Sequence, residues 1–251
     1  MLSTLGVLLL LAVGIIGVRT FITRHAKKEL IPASPKITEA DKTPTFNRSQ
    51  YSTTDPTSIW VVVNKHHALN PVSYVPADLT VPSVPLRVPG NESMQTRKVT
   101  ATALETMFAA AKTEGINLML SSGYRSYQYQ VSLYNSYVQG SSVAEADKTS
   151  ARPGFSEHQT GLAADIEPLN QKCDVDACFA TLPEGVWLAA NAYKYGFIIR
   201  YTAGKVPVTG YSYEPWHVRY VGTELSNELH KENVETLEEF FGLGAAPGYS
   251  S

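Results

Sequence analysis

The sequence has little of several features that define common classes of protein. Only two of its 251 residues are cysteine, and the formal net charge of −2 is close to zero. Without a basic stripe interleaved with aromatic residues, the chain has no electrostatic basis for binding nucleic acid. It also has no G-x-S-x-G sequence, which argues against a serine hydrolase. With 43% hydrophobic residues, however, it can build a globular core.

The two cysteines have a spacing that excludes the commonest cysteine motifs. Cys173 and Cys178 are too far apart for a C-x-x-C redox pair, and no second cysteine or histidine pair lies nearby to complete a zinc finger. The spacing favours a disulfide that closes a small loop, as is usual in exported proteins. Two buried thiols are the alternative.

Long hydrophobic runs are confined to the N-terminus, where residues 5–18 (LGVLLLLAVGIIGV) carry no polar side chain. About 20 apolar residues are needed to span a membrane, whereas about 10–14 suit a signal peptide. Because no basic region precedes the run and no A-x-A site follows it, an anchor is favoured over a cleaved signal. We predict that residues 1–28 are a membrane segment with a basic flank and that the domain lies outside the cytoplasm. That flank favours the opposite orientation on the positive-inside rule.

The rest of the chain divides by composition into three parts. Residues 29–57 are polar and contain four prolines, which predicts a flexible linker. Residues 58–241 mix helical and strand patterns without a regular βαβ period, which indicates a single α+β domain. The glycine-rich residues 242–251 predict a disordered tail.

Within the domain, hydrophobic spacing and capping residues predict individual elements. Residues 99–114 have helical spacing, and Ser126 is placed to cap the next helix. The apolar run IWVVV at 59–63 predicts a buried strand. Further strands are predicted at 116–121, 197–201 and 216–221.

A histidine and an aspartate seven positions apart give the first indication of chemistry. In SEHQTGLAAD at 156–165, Gly161 lets the backbone turn after His158, and a strand would place Asp165 on the same face as the small Ala163. Both side chains could then bind one metal ion. A structural hydrogen bond between them is the other interpretation.

A second motif, EPWH, offers an acid together with a further histidine. In an unbroken strand Glu214 and His217 would face opposite sides, so a shared site requires a bend, for which Pro215 is a suitable residue. A catalytic zinc site takes three protein ligands and keeps one position open. Glu214 would act beside it as a proton-transferring residue. His66, His67 and His230 are expected to lie outside the site.

SEHQTGLAAD and EPWH, together with SGYRSYQYQ at 122–130, resemble the three sequence blocks of the zinc D-Ala-D-Ala carboxypeptidases of the VanY type. The resemblance covers about residues 59–240, and the family includes L,D-carboxypeptidases. It implies a hedgehog/DD-peptidase-like domain with a central, mostly antiparallel sheet flanked by helices.

The resemblance also implies a role for each matching residue. His158, Asp165 and His217 would hold one Zn²⁺. Glu214 would be the general base and then acid, and Arg125 would face the substrate carbonyl. Four further residues would place the peptide, bind its terminal carboxylate or support the site: Gln130, Ser156, Tyr201 and Trp216.

The function implied is the removal of the C-terminal D-alanine from peptidoglycan stem peptides in the cell envelope by a membrane-anchored monomer. A D-Ala-D-Ala bond is favoured over the L,D bond of a tetrapeptide stem. A peptidoglycan endopeptidase and a noncatalytic wall-binding module are the alternatives, and the presence of Glu214 counts against the module. Secretion after signal cleavage is the alternative to an anchor.

Overall fold

The computed structural model describes residues 46–250. The predicted membrane segment at 1–28 and residues 29–45 of the predicted linker lie outside this range. Over the part of the chain that is described, no helix combines the length and apolar character needed to cross a membrane.

Helices and strands alternate irregularly along the chain. The strands are β1 (Leu79–Thr80), β2 (Thr96–Arg97), β3 (Leu118–Ser122), β4 (Ala163–Pro168), β5 (Phe197–Tyr201) and β6 (Glu214–Tyr220). The helices are α1 (Lys98–Thr113), α2 (Tyr127–Gly140), α3 (Val143–Thr149), α4 (Pro183–Asn191), α5 (Val206–Thr209), α6 (Thr223–Glu232) and α7 (Leu237–Phe241). The expected α+β class is confirmed.

Four strands form the central sheet in the order β3-β4-β6-β5, with every neighbouring pair antiparallel. β1 and β2 form a separate two-stranded ladder. The connection from β4 to β6 passes through α4, β5 and α5, so the two central strands are distant in sequence. Their register sets Asp165 directly opposite His217.

One face of the sheet is the main hydrophobic core. Because side chains alternate along a strand, Ala164 and Ile166 of β4 lie on this face with Val218 of β6. They pack with residues of α1 and α4: Leu104, Met107, Phe108, Ala111, Trp187 and Leu188. The regular spacing of the α1 residues explains why the helix was predictable.

The opposite face of the same strands is polar and also buried. It carries Asp165 and Glu167 on β4 and His217 and Arg219 on β6, each no more than 5% exposed. Polar groups without access to water must bind one another or a ligand. This face therefore positions the functional site.

The predicted strand at 59–63 is wrong, although the burial of these residues was expected correctly. The segment is an irregular turn that packs against α6 and α7 through Trp60 and Val62. Arg219 donates to the backbone oxygens of Ile59 at 3.1 Å and Val61 at 2.7 Å. Since a side chain satisfies these carbonyls, the segment needs no neighbouring strand.

The folded body extends further in both directions than residues 58–241. At its start, Phe46 stacks on Trp60 with ring centroids 5.5 Å apart, so residues 46–57 pack on the domain and do not form a linker. At its end, Ala246 is 1% exposed, so the predicted disordered tail is also wrong over its described part. Aromatic contacts and backbone hydrogen bonds fix both segments.

Candidate active site and metal centre

His158, Asp165 and His217 come together on the polar face of the sheet. Their candidate ligand atoms all lie within 4.8 Å of one another, and all three side chains are buried. His217 Nδ1 is 3.1 Å from Asp165 Oδ1, and His158 Nε2 is 3.4 Å from Asp165 Oδ2. The other described histidines, His66, His67 and His230, are not part of this cluster.

A hydrogen bond of His158 decides which of its ring nitrogens faces the cluster. His158 Nδ1 donates to the backbone oxygen of Gly123 at 2.6 Å. His158 Nε2 is buried and has no hydrogen-bond partner in the described part of the chain. A buried nitrogen without a hydrogen-bond partner lowers the stability of the fold unless it binds a ligand. Two imidazole nitrogens and one carboxylate are the donor set that zinc takes in hydrolytic sites, so the residues fit the metal.

Local backbone structure brings His158 and Asp165 to the same point. His158 lies in a 3₁₀ turn (Glu157–Thr160) that ends at Gly161, which has a left-handed φ of 66°. A Cβ at this position would meet Arg97 Cγ at 2.9 Å, so a side chain would also be crowded out. The chain then enters β4, where Asp165 faces His217. The expected roles of Gly161 and of the strand are confirmed.

Glu214 reaches the same site because β6 is irregular. Ile199 on β5 pairs with Val218 on β6, and Tyr201 pairs with Glu214. Two steps along β5 therefore correspond to four steps along β6, so β6 contains two extra residues in this stretch. This bulge gives the bend expected near Pro215. Glu214 Oε2 lies 3.8 Å from His217 Nδ1. Burial raises the pKa of Glu214 to about 7.

Arg125 and Gln130 follow β3, and they have different positions relative to a cavity that lies beside the cluster. Arg125 lines it and donates to Asp165 Oδ2 at 3.1 Å and to Ser122 Oγ at 3.2 Å. Gln130 is fully buried and donates to the backbone oxygen of Ala151 at 2.8 Å. Gln130 therefore supports the cavity wall from behind, through Ala151, and its part in placing the peptide stays a prediction.

The remaining predicted residues line a cavity of about 300 Å³ beside the cluster. Ser156 is 3% exposed and precedes the 3₁₀ turn, and Tyr201 ends β5. The Tyr201 ring centroid is 4.9 Å from that of His217. Trp216 lines the cavity and also belongs to the main core, so it connects the two faces of the sheet.

Glu157 is the residue of this site that the sequence analysis missed. Its Oε2 lies 3.4 Å from His217 Nε2, and its Oε1 accepts from Arg200 and from Arg219, both at 2.8 Å. Burial alone would raise the pKa of Glu157, but the two guanidinium groups hold it well below the usual range. Arg200 also donates to Glu238 at 2.7 and 3.0 Å. A carboxylate on the outer nitrogen of a metal-binding histidine fixes the orientation of its ring.

Two arginines in otherwise apolar strands were the signal that could have revealed this network. FIIRY and WHVRY each contain one arginine, Arg200 and Arg219, among residues that form buried strands. Buried arginines need carboxylate partners. Glu157, beside a candidate ligand, was an available partner.

The cysteine loop, which had no assigned place, borders the cavity. Cys173 and Cys178 form a disulfide, as the spacing favoured. Val175, between them, lines the cavity. The Val175 backbone N–H donates to Glu167 Oε1 at 2.9 Å, and Arg87 binds the neighbouring Asp174.

Comparisons with known proteins agree with this geometry. The family model of VanY, D-alanyl-D-alanine carboxypeptidase, matches residues 93–223. A putative carboxypeptidase, YodJ of Bacillus subtilis (strain 168), is 44% identical over 190 residues, which cover 74% of this chain and 68% of the relative.

Two solved structures give the same fold. The LdcB LD-carboxypeptidase superposes with a TM-score of 0.70 at 43% identity, over 74% of this chain and 87% of that one. The D,D-pentapeptidase VanY from a VanB-type resistance cassette, solved with Zn(II), gives a TM-score of 0.58 at 30% identity, over 72% and 97%. The chain belongs to the VanY family of D-alanyl-D-alanine carboxypeptidases.

Proposed function

We propose that the chain is a zinc-dependent carboxypeptidase that releases the C-terminal D-alanine from peptidoglycan stem peptides. The observation that carries the proposal is a donor set of two histidines and one aspartate with the partly buried acid Glu214 beside it. Structural zinc sites are closed by four protein ligands, whereas hydrolytic sites use three and keep an open side. Here the cluster lines a cavity large enough for the end of a peptide.

When bound, zinc would polarise the scissile carbonyl and lower the pKa of a coordinated water from 15.7 to roughly 7. Glu214 takes a proton from the attacking water and delivers it to the departing amine of D-alanine. Without a metal, burial raises its pKa to about 7; a bound zinc ion would lower it and so favour the carboxylate that accepts the first proton. Arg125 stabilises the negative charge that develops on the carbonyl oxygen. Ser156 and Tyr201 bind the terminal carboxylate.

The bond between two D-alanines is the first candidate for cleavage, although both branches of the family use the same zinc-binding residues. The bond between an L-configured third residue and D-alanine is the second candidate. It is supported by the likeness to an LD-carboxypeptidase, which at 43% identity and a TM-score of 0.70 exceeds the likeness to the VanY structure, at 30% and 0.58.

We further infer that the enzyme acts outside the cytoplasm as a monomer, anchored by residues 1–28. The disulfide between Cys173 and Cys178 supports this location, because such bonds persist in oxidising compartments. Protease protection of intact cells tests the orientation, and light scattering of the purified chain tests the oligomeric state. Digestion only after the cells are opened would contradict an external domain.

The substrate experiment uses the purified chain with zinc and, separately, with a chelator. Muropeptides with pentapeptide stems and with tetrapeptide stems are offered, and the loss of one alanine is followed by mass. We expect zinc-dependent loss of D-alanine, from the pentapeptide for a D,D-enzyme or from the tetrapeptide for an L,D-enzyme. A His66→Ala variant is the matched control, because His66 lies outside the metal cluster. No loss from either substrate by the zinc-loaded chain would contradict the proposal.

A further inference from the structure

The last described residues of the chain pack against a segment that lines the active-site cavity. The Ala246 backbone N–H donates to the Val208 oxygen at 2.7 Å. Gly210 has a left-handed φ of 77°, and a Cβ there would meet the backbone oxygens of Pro247 at 2.6 Å and Ala246 at 2.8 Å. Residues 246–247 therefore lie directly on the turn at 210, which leads into the cavity wall.

Tyr249 joins this turn to a second segment. Its hydroxyl accepts a hydrogen bond from the Arg152 backbone N–H at 2.7 Å and lies 3.2 Å from the Tyr211 hydroxyl. The Arg152 guanidinium lies 4.2 Å above the centroid of the Tyr249 ring. Phe155 packs against Tyr249 with the two rings nearly perpendicular and their centroids 5.2 Å apart. One side chain thus contacts both residues 151–156 and residues 209–213, in addition to the hydrogen bond from the Ser212 N–H to the Lys148 oxygen at 2.9 Å.

Both segments supply walls of the cavity. Ala151 and Ser156 belong to the first, and Tyr211 belongs to the second together with Ser212 and Tyr213. The Tyr211 ring packs against Tyr201, with centroids 4.7 Å apart. Tyr249 is therefore connected through Tyr211 to Tyr201, which contacts the metal-site residue His217.

A buried lysine also holds the second segment, and its Nζ lies 5.7 Å from the centroid of the Tyr249 ring. Lys65 is 3% exposed, donates to the backbone oxygen of Gly210 and lies 4.4 Å above the Tyr211 ring. Tyr249 and Tyr211 are absent from the three hydrophobic core clusters of the described chain. Loss of the Tyr249 hydroxyl should consequently leave the fold intact and alter only the spacing of the two walls.

We propose that Tyr249 is a positioning residue for substrate binding, which sets the distance between Ser156 on one wall and Tyr201 and Tyr211 on the other. The proposal rests on the proposed function, since these walls would receive the terminal carboxylate of the peptide. Positioning of a carboxylate-binding wall acts mainly on substrate affinity. His217, a candidate metal ligand, lies on the sheet and is two side chains removed from Tyr249, through Tyr211 and Tyr201.

The test compares the full chain with Tyr249→Phe and Tyr249→Ala, and with Tyr129→Phe as a control on a tyrosine that is 43% exposed. For Tyr249→Phe we expect KM for D-alanine release to rise about fivefold, the effect of one net hydrogen bond, with kcat and zinc content unchanged. Tyr249→Ala should raise KM further, and Tyr129→Phe should behave as wild type. Hydrogen exchange should become faster in residues 151–156 and 209–213 of the Tyr249 variants.

Unchanged KM and unchanged exchange in both Tyr249 variants would overturn the proposal. A loss of kcat, zinc content and thermal stability together would also overturn it, because Tyr249 would then have only a general structural role. If the wild-type chain releases no D-alanine, the proposed function fails, and the exchange measurement alone decides the role of Tyr249. Faster exchange confined to the two segments in Tyr249→Phe would support it, and unchanged exchange would overturn it.

Discussion

Asp165 and His217 are set opposite each other by the register of the sheet, whereas Val175 and Tyr211 reach the same cavity from segments that have no strand partner. The first region, the candidate metal centre, is held by backbone ladders and buried ion pairs. The second region, the rim, is held by the disulfide that closes the loop around Val175 and by the contact between the hydroxyl groups of Tyr249 and Tyr211. The difference indicates that chemistry and substrate fit can be altered separately in this molecule. Each variant below tests that separation.

Replacing Glu214 should have the largest effect, because it removes a chemical step and leaves the metal ligands in place. We expect Glu214→Gln to lower kcat/KM by about 10²–10⁴-fold, the usual contribution of a proton-transferring residue. Zinc content, measured by elemental analysis, should not change. Glu145→Gln, at a glutamate whose side chain is 59% exposed, is the control. Undiminished turnover in Glu214→Gln would remove the acid from the mechanism.

The buried ion pairs behind the metal centre should make the fold sensitive to acid. Although burial favours its neutral form, Arg200 holds the pKa of Glu238 below the usual value of 4.5. A carboxylate with a depressed pKa stabilises the fold above its unfolded-state pKa, and this contribution is lost as pH falls. Denaturant unfolding should therefore show a free energy of unfolding that declines as pH falls below about 4.5.

Glu238→Gln should lower the free energy of unfolding at neutral pH by about 3 kcal/mol, because Arg200 loses a charged partner in the interior. Its stability should also depend less on pH than that of the wild type. Glu232→Gln removes the partner of Arg48 in a surface ion pair and should cost less than about 1 kcal/mol. An equal loss of unfolding free energy in the two variants would mean that the buried ion pair stabilises the fold no more than the surface ion pair does.

The contact between Glu157 and His217 tests whether the network also acts on the metal. Glu157→Gln keeps the shape of the side chain but removes its charge, so the His217 ring loses a charged acceptor on its outer nitrogen. We expect zinc affinity, measured by competition with a chelator, to fall about 10–100-fold. If stability falls while zinc affinity is unchanged, the network is purely structural.

The disulfide loop should give the smallest effect on the metal centre and a visible one on the rim. With both cysteines changed to serine (Cys173→Ser with Cys178→Ser), we expect the free energy of unfolding to fall by about 2 kcal/mol, as for closure of a short loop. KM should change more than kcat, because Val175 lines the cavity and its loop contributes none of the candidate metal ligands. Zinc loss in this variant would contradict the inference that the candidate metal centre and the rim can be altered separately.

The same division decides what could be predicted from the sequence. His158 and Asp165 were candidates because their spacing is local, whereas the resemblance to the VanY-type blocks implied that His217 and Glu214 join them. Ser126 was found because a cap acts on the next turn; its side chain accepts from the Tyr129 N–H. Residues 59–63 were assigned wrongly because their carbonyls bind Arg219, about 160 positions away. Residues 246–250 are held by contacts that are distant in sequence, such as those of Ala246 with Val208 and of Tyr249 with Arg152. Such long-range partners leave no periodic pattern in the sequence.

Gly161 shows how a residue without a side chain can be as important as a ligand. The turn between His158 and Asp165 uses its left-handed backbone, and the space beside it is filled by Arg97 and Leu79. In a library of single substitutions selected for activity, position 161 would accept almost nothing and would rank beside the metal ligands. Selection alone would then assign it a chemical role. Its intolerance would instead reflect conformation, and a count of intolerant positions would overstate the number of residues that touch the substrate.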